Sequence, residues 1–253
     1  MRRLGRGLEA TGTLLVLLIA WHFGAASGIV SDFLLPSPEA VVARIGEDAM
    51  SGDLFAALAR TVGTALAGFA VASVAGAALG VGMARVRAVR WFFDPLVSIG
   101  YPMPKIAFLP VFLLWIGPNF ASTVTIVAFS AVFPVAVATL AGAEGVDKTW
   151  LWSARSLGAS NSALLWEIVL PAVIPQVLTG LQVALPVALI TTIVAEMLTG
   201  GEGIGGAMLG AMRFADSPGV FAGITVIAAC GFALIRALEL ARRTMLRWHA
   251  EAA

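Results

Sequence analysis

Apolar residues run through this chain in long blocks, separated by short links that hold nearly all the charge. Six blocks approach or reach the roughly 20 helical residues that a bilayer crossing takes: 8–25, 59–83, 96–116, 120–141, 177–198 and 220–240. The pattern predicts an all-α polytopic membrane protein with six transmembrane helices. The block at 59–83 is crowded with small residues, Gly63, Ala67, Gly68, Ala72, Gly76, Ala77, Gly80 and Gly82, which let helix backbones approach closely inside a membrane. The block at 96–116 contains Pro102, Pro104 and Pro110, so a break is expected there, because proline removes a backbone donor and clashes within a helix.

The links carry their own signals. In the long link at 31–58, the two prolines of Pro36-Ser37-Pro38 impose an extended turn. Residues 38–50 follow as a short helix whose Ala40, Val41, Ile45 and Ala49 share a face suited to a membrane surface. Between the fourth and fifth blocks lies a polar-rimmed hairpin. One helix is expected over 148–157, a stop at Gly158, and a second helix over 161–170. Gly158 suits a left-handed cap because it has no Cβ. Ser160 can cap the helix that follows, and Pro171 is expected to end or kink that helix.

Composition agrees with the pattern. Of the 253 residues, 59% are hydrophobic and 12% charged, against about 25% charged in a soluble domain. The position of the charges is more informative than the net +1. Twelve of the 16 basic residues fall on one side of a six-span arrangement: Arg2, Arg3, Arg6, Arg85, Arg87, Arg90, Lys148, Arg155, Arg236, Arg242, Arg243 and Arg247. That side is cytoplasmic by the positive-inside rule, which places both termini in the cytoplasm. The opposite links lean acidic, with Asp32, Glu39, Glu47, Asp48, Asp53, Glu202 and Asp216. The N-terminal block, with Ala25, Ala26 and Ser27 after it, also resembles a signal peptide; five further blocks favour an uncleaved first helix.

Little here points to chemistry within the chain. Cys230 is the only cysteine and reads as a small core or lipid-facing residue. His22 and His249 stand at opposite ends of the sequence, which gives poor support to a catalytic or metal site. The run Gly200–Gly206 formally contains G-x-G-x-x-G, yet no βαβ unit surrounds it; it reads as a flexible outer turn. No phosphate-binding loop occurs, so neither a cofactor nor ATP is expected on this chain. Two charges fall in apolar surroundings. Lys105 is either a lysine that snorkels to the interface or a cavity and gate residue that attracts an anion. Glu196 is either a solvated interfacial carboxylate or one buried in the bundle and bonded to a neighbouring helix.

The hairpin resembles the EAA signature of bacterial ABC importer permeases, E-A-A-x3-G-x9-I-x-L-P. Ala154, Gly158, Ile168, Leu170 and Pro171 stand in register, with Trp152 and Ser153 in place of the Glu and the first Ala. LPSPEAV, FDPLVSIGYPMPKIAFLPVFLLWIG, ARSLGAS, VLPAVIPQVLTGL and VAEML extend the resemblance to the nitrate/sulfonate/taurine branch. It implies a MetI-like fold and a multi-pass protein of the bacterial inner membrane that pairs as a homodimer. It also implies cytoplasmic ATPase subunits and a periplasmic solute-binding protein as partners. The expected organisation is a first helix and basic N-terminus (1–30), an outer loop with its helix (31–58), a permease core (59–241) with a coupling hairpin (144–175), and a cytoplasmic tail (242–253). Leu151, Ala154 and Leu157 would form an apolar docking face, with Arg155 and Ser156 at its rim and Gly158 and Ala159 at the elbow. Pro102, Pro104, Lys105 and Glu196 are the candidates for the translocation pathway or gate. The expected cargo is a small organic or inorganic anion such as a sulfonate, taurine or nitrate. An ion-coupled secondary transporter is the competing reading.

Overall fold

Long apolar blocks with few breaks become long helices. The computed structural model describes residues 2–247; His249 and the basic side chains of Arg2, Arg3 and Arg6 lie outside what it describes. In chain order the helices are α1 (Arg2–Ala26), α2 (Pro38–Ser51), α3 (Asp53–Arg85), α4 (Arg87–Gly100), α5 (Leu109–Ile116), α6 (Phe120–Glu144), α7 (Lys148–Ser156), α8 (Asn161–Ala163), α9 (Leu170–Thr199), α10 (Ile204–Arg213) and α11 (Ser217–Met245).

Among the described residues four helices are long and apolar enough to cross a bilayer: α3, α6, the continuous Asn161–Thr199 and α11. A fifth crossing is formed if α4 and the segment Lys105–Ile116, bent against each other by 103°, count as one broken span. The described apolar part of α1, Leu15–Ala26, is shorter. The expected break at Pro102 and Pro104 is therefore present. One expectation at the fifth block is corrected: the helix runs on from Asn161 to Thr199, so Pro171 does not end it. The reason is local: Leu164–Val169 is π-helical, and the Leu170 amide bonds to the Leu165 carbonyl, five residues back. Pro171 stands where that ladder switches back to the α register, a position where a missing N–H is tolerated. α11 continues to Met245, into the residues expected as the tail.

Two compact units divide the chain: Met1–Arg60 with Glu196–Ala229, and Thr61–Ala195 with Cys230–Ala253. In the second unit α3 lays a face of small residues, Thr64, Ala65, Gly68, Ala72, Gly76 and Gly80, on α6. The contact is backbone-close: a Cβ on Gly80 would stand 2.6 Å from the Ala136 carbonyl oxygen. Around this seam Ala72, Val127, Ala131, Val135, Ala184 and Ala188 form a buried cluster shared by α3, α6 and α9. Asn119 starts α6 with a reciprocal capping box: its side chain accepts the Ser122 amide at 3.1 Å, and the Ser122 hydroxyl receives the Asn119 amide at 3.2 Å. On the same helix the buried Thr139 hydroxyl has no hydrogen-bond partner among the described residues. Thr139→Val keeps the shape and removes that orphaned group. A gain of about 1 kcal/mol is expected, read as a rise in thermal unfolding temperature in detergent.

The first unit is joined by polar contacts. Ser37 caps α2 by accepting the Ala40 amide at 3.2 Å, with Pro38 in the first turn. The Trp21 indole N–H donates to the Pro36 carbonyl at 3.0 Å, and its ring lies 6.0 Å from that of Phe221. Arg44 of α2 pairs with Asp48 at 2.9 Å and with Asp216, which also caps α11 by accepting the Gly219 amide at 3.0 Å. The amphipathic helix is thus pinned to the α10–α11 turn by its polar side.

Candidate functional site

Asp147 opens the hairpin. Its carboxylate accepts the Thr149 amide at 2.8 Å, and that bond holds its carboxyl below the ordinary range. α7 follows for nine residues. It ends in two nested bonds, from the Ala159 amide to the Ala154 carbonyl and from the Gly158 amide to the Arg155 carbonyl, each 3.0 Å. Together with Gly158 at φ +88° this is a Schellman stop, which satisfies two otherwise orphaned carbonyls and needs a residue tolerant of the left-handed region. Ser160 then caps the next helix by accepting the Ala163 amide at 3.2 Å. The elbow is fully bonded and therefore a fixed shape.

Its inner face packs on Ala143, Val146, Val169 and Val173, with Leu151, Leu165, Ile168 and Ala84 of α3 around them. Leu151 is half-buried and packs on this cluster. The exposed apolar side chains of the hairpin are Leu157 at 87%, Trp166 at 67%, Trp152 at 63% and Trp150 at 57%. Arg155, Ser156 and Gly158 beside them are also exposed, while Ala154 and Ala159 are half-buried. The sequence pattern missed Leu164 and Val169, which are 5% and 1% exposed. Five residues apart, they share a face only because the segment is π-helical, and a 3.6-residue period does not reveal that. Ile168 and Leu170 are half-buried and Pro171 is exposed. Near the hairpin, an ion pair between Arg90 and Glu144 ties α4 to the end of α6.

The second candidate group lies at the α4–α5 break. The Lys105 ammonium donates to the Tyr101 carbonyl, one of the carbonyls that a helix end leaves unpaired. It also stands 5.5 Å and 5.3 Å from the ring centres of Tyr101 and Phe133. Pro102 and Pro104 are exposed at the bend. Phe133 and Ala143 mark the levels of Lys105 and the hairpin along α6, about 15 Å apart at 1.5 Å per residue, so the structure does not bring these groups together.

In the first unit Glu196 is 6% exposed and accepts the Gly205 amide at 3.0 Å. That settles the choice left open for it: the carboxylate is buried and bonded to a neighbouring helix. The run expected to be a flexible turn is non-helical only over Gly200–Gly203, since α10 begins at Ile204. Beside it is a cleft of about 650 Å³. Its polar lining is Arg44, Asp48, Asp53, Arg60, Glu202 and Asp216, and Arg60 is paired with Glu202 across it.

The family model described as binding-protein-dependent transport system inner membrane component matches residues 68–247. The chain is 32% identical over 245 residues to the taurine transport system permease protein TauC of Escherichia coli (strain K12), covering 95% of this chain and 89% of that protein. It is 31% identical over 248 residues to the formylaminopyrimidine transport permease protein ThiX of Halalkalibacterium halodurans, covering 98% of each. In fold it is similar to the crystal structure of an amino acid ABC transporter with histidines, with a TM-score of 0.63 at 18% identity, over 87% of this chain and 99% of that one.

Proposed function

This chain belongs to the family of binding-protein-dependent transport inner membrane components, an ABC transporter permease in a membrane, and we propose that it imports a small anion with energy drawn from a separate ATPase. The bacterial inner membrane is its place in this reading, with both termini and the α7 hairpin in the cytoplasm. Its partners are cytoplasmic ATPase subunits, a periplasmic solute-binding protein and a second copy of itself. ATP chemistry belongs to the ATPase, and the permease itself catalyses no reaction and holds no cofactor.

One observation carries this reading: a rigid elbow that exposes Trp152 and Leu157 on a polar hairpin. A helical protrusion with an aromatic and an aliphatic anchor and a cation, Arg155, at its rim suits a groove on another protein, where such anchors supply most of the binding energy. Ala154, Gly158 and Ala159 hold the elbow's shape, and Ile168, Leu170 and Pro171 connect it to α9. ATP-driven closure of the ATPases would push the paired hairpins, rocking the helices between an outward and an inward opening. At the α4–α5 break Pro102, Pro104 and Lys105 form the inner gate, and Glu196 acts at the outer end of α9. A cation at the gate and the naming of a taurine permease among the relatives support an anionic cargo such as a sulfonate, taurine or nitrate. Ion-coupled transport loses ground to the family match and to a hairpin for which such a carrier has no use.

The test replaces Trp152 and Leu157 together with alanine. Losing two anchors costs about 2 kcal/mol or more, so co-purification of the ATPase should fall roughly thirtyfold or further, with the permease itself still folded. Unchanged assembly removes the docking role. In proteoliposomes, uptake of radiolabelled taurine that stops on ATP depletion and survives an uncoupler supports the reading, and the reverse pattern restores the ion-coupled carrier. Uptake of a pyrimidine instead of taurine overturns the anionic cargo.

A further inference from the structure

The last turn of α9 contains a charged side chain for which the coupling hairpin has no use. Glu196 is buried to 94% of its surface, being 6% exposed, and its Oε2 accepts the Gly205 amide at 3.0 Å. Gly205 is the second residue of α10, where backbone N–H groups lack intrahelical partners and favour a negative charge. The backbone of the same residue closes the turn from the other side: the Glu196 carbonyl accepts the Gly201 amide at 3.0 Å. Gly203 lies between these two bonds. A Cβ there would stand 2.2 Å from Oε1 of Glu196 and 2.3 Å from its carboxyl carbon, so glycine at 203 leaves room for the carboxylate. A buried acceptor held this way is costly to leave unpaired, which holds the connector in place.

What the connector supports is visible beside it. Gly201, Glu202, Gly203, Ile204 and Gly206 form one wall of the 650 Å³ cleft, and Arg44, Asp48, Asp53 and Arg60 line it as well. The wall contributes Glu202, whose carboxylate pairs with Arg60. We propose that Glu196 is a positioning residue for transport, clamping the Gly200–Gly205 connector to the last turn of α9 so that the cleft wall and its Arg60–Glu202 pair are held in one arrangement. Its role is that of an acceptor in a fixed place, not of a charge presented to the solute. The structural half stands on the geometry alone; the transport half rests on the importer reading.

Because the role needs an acceptor and not a charge, Glu196→Gln keeps it, with the amide oxygen in place of Oε2. Glu196→Ala removes the acceptor, and Gly203→Ala displaces the carboxylate by filling its space. Hydrogen exchange is measured on the full permease–ATPase complex in nanodiscs, alongside ATP hydrolysis stimulated by the solute-binding protein loaded with taurine. Amides of 200–207 should exchange at least tenfold faster in Glu196→Ala and Gly203→Ala than in wild type, with those of α7 unchanged. Stimulated hydrolysis should fall about tenfold in both and return to within about twofold of wild type in Glu196→Gln. Wild-type protection of 200–207 in Glu196→Ala overturns the clamp. Lost protection with full stimulation overturns its part in transport. A Glu196→Gln variant that is protected yet inactive overturns the acceptor role in favour of the charge. If wild type never assembles with an ATPase, the importer reading fails and takes the transport half with it, while the exchange data still decide the clamp.

Discussion

Gly80→Val should leave almost no folded permease. On α3, Gly80 meets the backbone of α6: an added Cβ would stand 2.6 Å from the Ala136 carbonyl oxygen, 2.6 Å from the Thr139 Cβ and 2.9 Å from the Leu140 amide nitrogen. None of these is the free end of a side chain that can swing aside. The two helices must separate, and the seam they share includes the cluster around Ala72, Val127 and Val135. Overpacking a close-packed interior costs about 1–3 kcal/mol where side chains can adjust, and a backbone contact leaves that option out, so about 3 kcal/mol or more is expected. The measurement is the monodisperse peak in size-exclusion chromatography and the thermal midpoint of the purified protein. Gly63→Ala is the control on the same helix, because nothing lies within 4 Å of its Cβ position; it should hold or slightly raise the midpoint, as alanine favours a helix interior. A Gly80→Val protein that folds like wild type would mean that α3 and α6 do not make this contact.

Gly158→Val is expected to uncouple the protein without unfolding it. The reason is opposite to that at Gly80. Around Gly158 nothing lies within 4 Å of a Cβ, but its φ is +88°, and a β-branched residue there is strained by its own backbone at a cost of about 1–3 kcal/mol. The strain is relieved by giving up the Schellman stop, so the elbow reorients and carries the exposed Leu157 with it. Transport-coupled ATP hydrolysis should fall at least tenfold while the thermal midpoint shifts by only a few degrees. Gly158→Asn should lie between Val and wild type, since asparagine tolerates the left-handed region. Full coupled hydrolysis in the valine variant would show that the elbow's shape is not what the ATPase reads.

These two glycines show how unevenly the fold could be read in advance. Gly158 was legible, because a stop flanked by the Ser160 cap and a helical pattern is a local signal. The break around Pro102 and Pro104 was legible for the same reason. The small-residue run on α3 announced close packing without naming the partner. The packing of Leu151 was not legible, because a short amphipathic helix offers two faces and only the tertiary structure lays it on Ala143, Val146, Val169 and Val173. Pro171 misled because its effect depends on the hydrogen-bond register of the six residues before it.

The amino-acid sequence by itself determined the class of this protein: an all-helical chain in a membrane, with one capped hairpin and one broken helix. Each of those follows from hydropathy, backbone preference or a bond between residues a few positions apart. Only the tertiary structure decided that Glu196 is buried against Gly205, that Lys105 caps the end of α4 beside Phe133, and that Trp152 and Leu157 are exposed on the hairpin. Burial and pairing are set by which distant residues come to lie alongside, and that is a property of the packed chain.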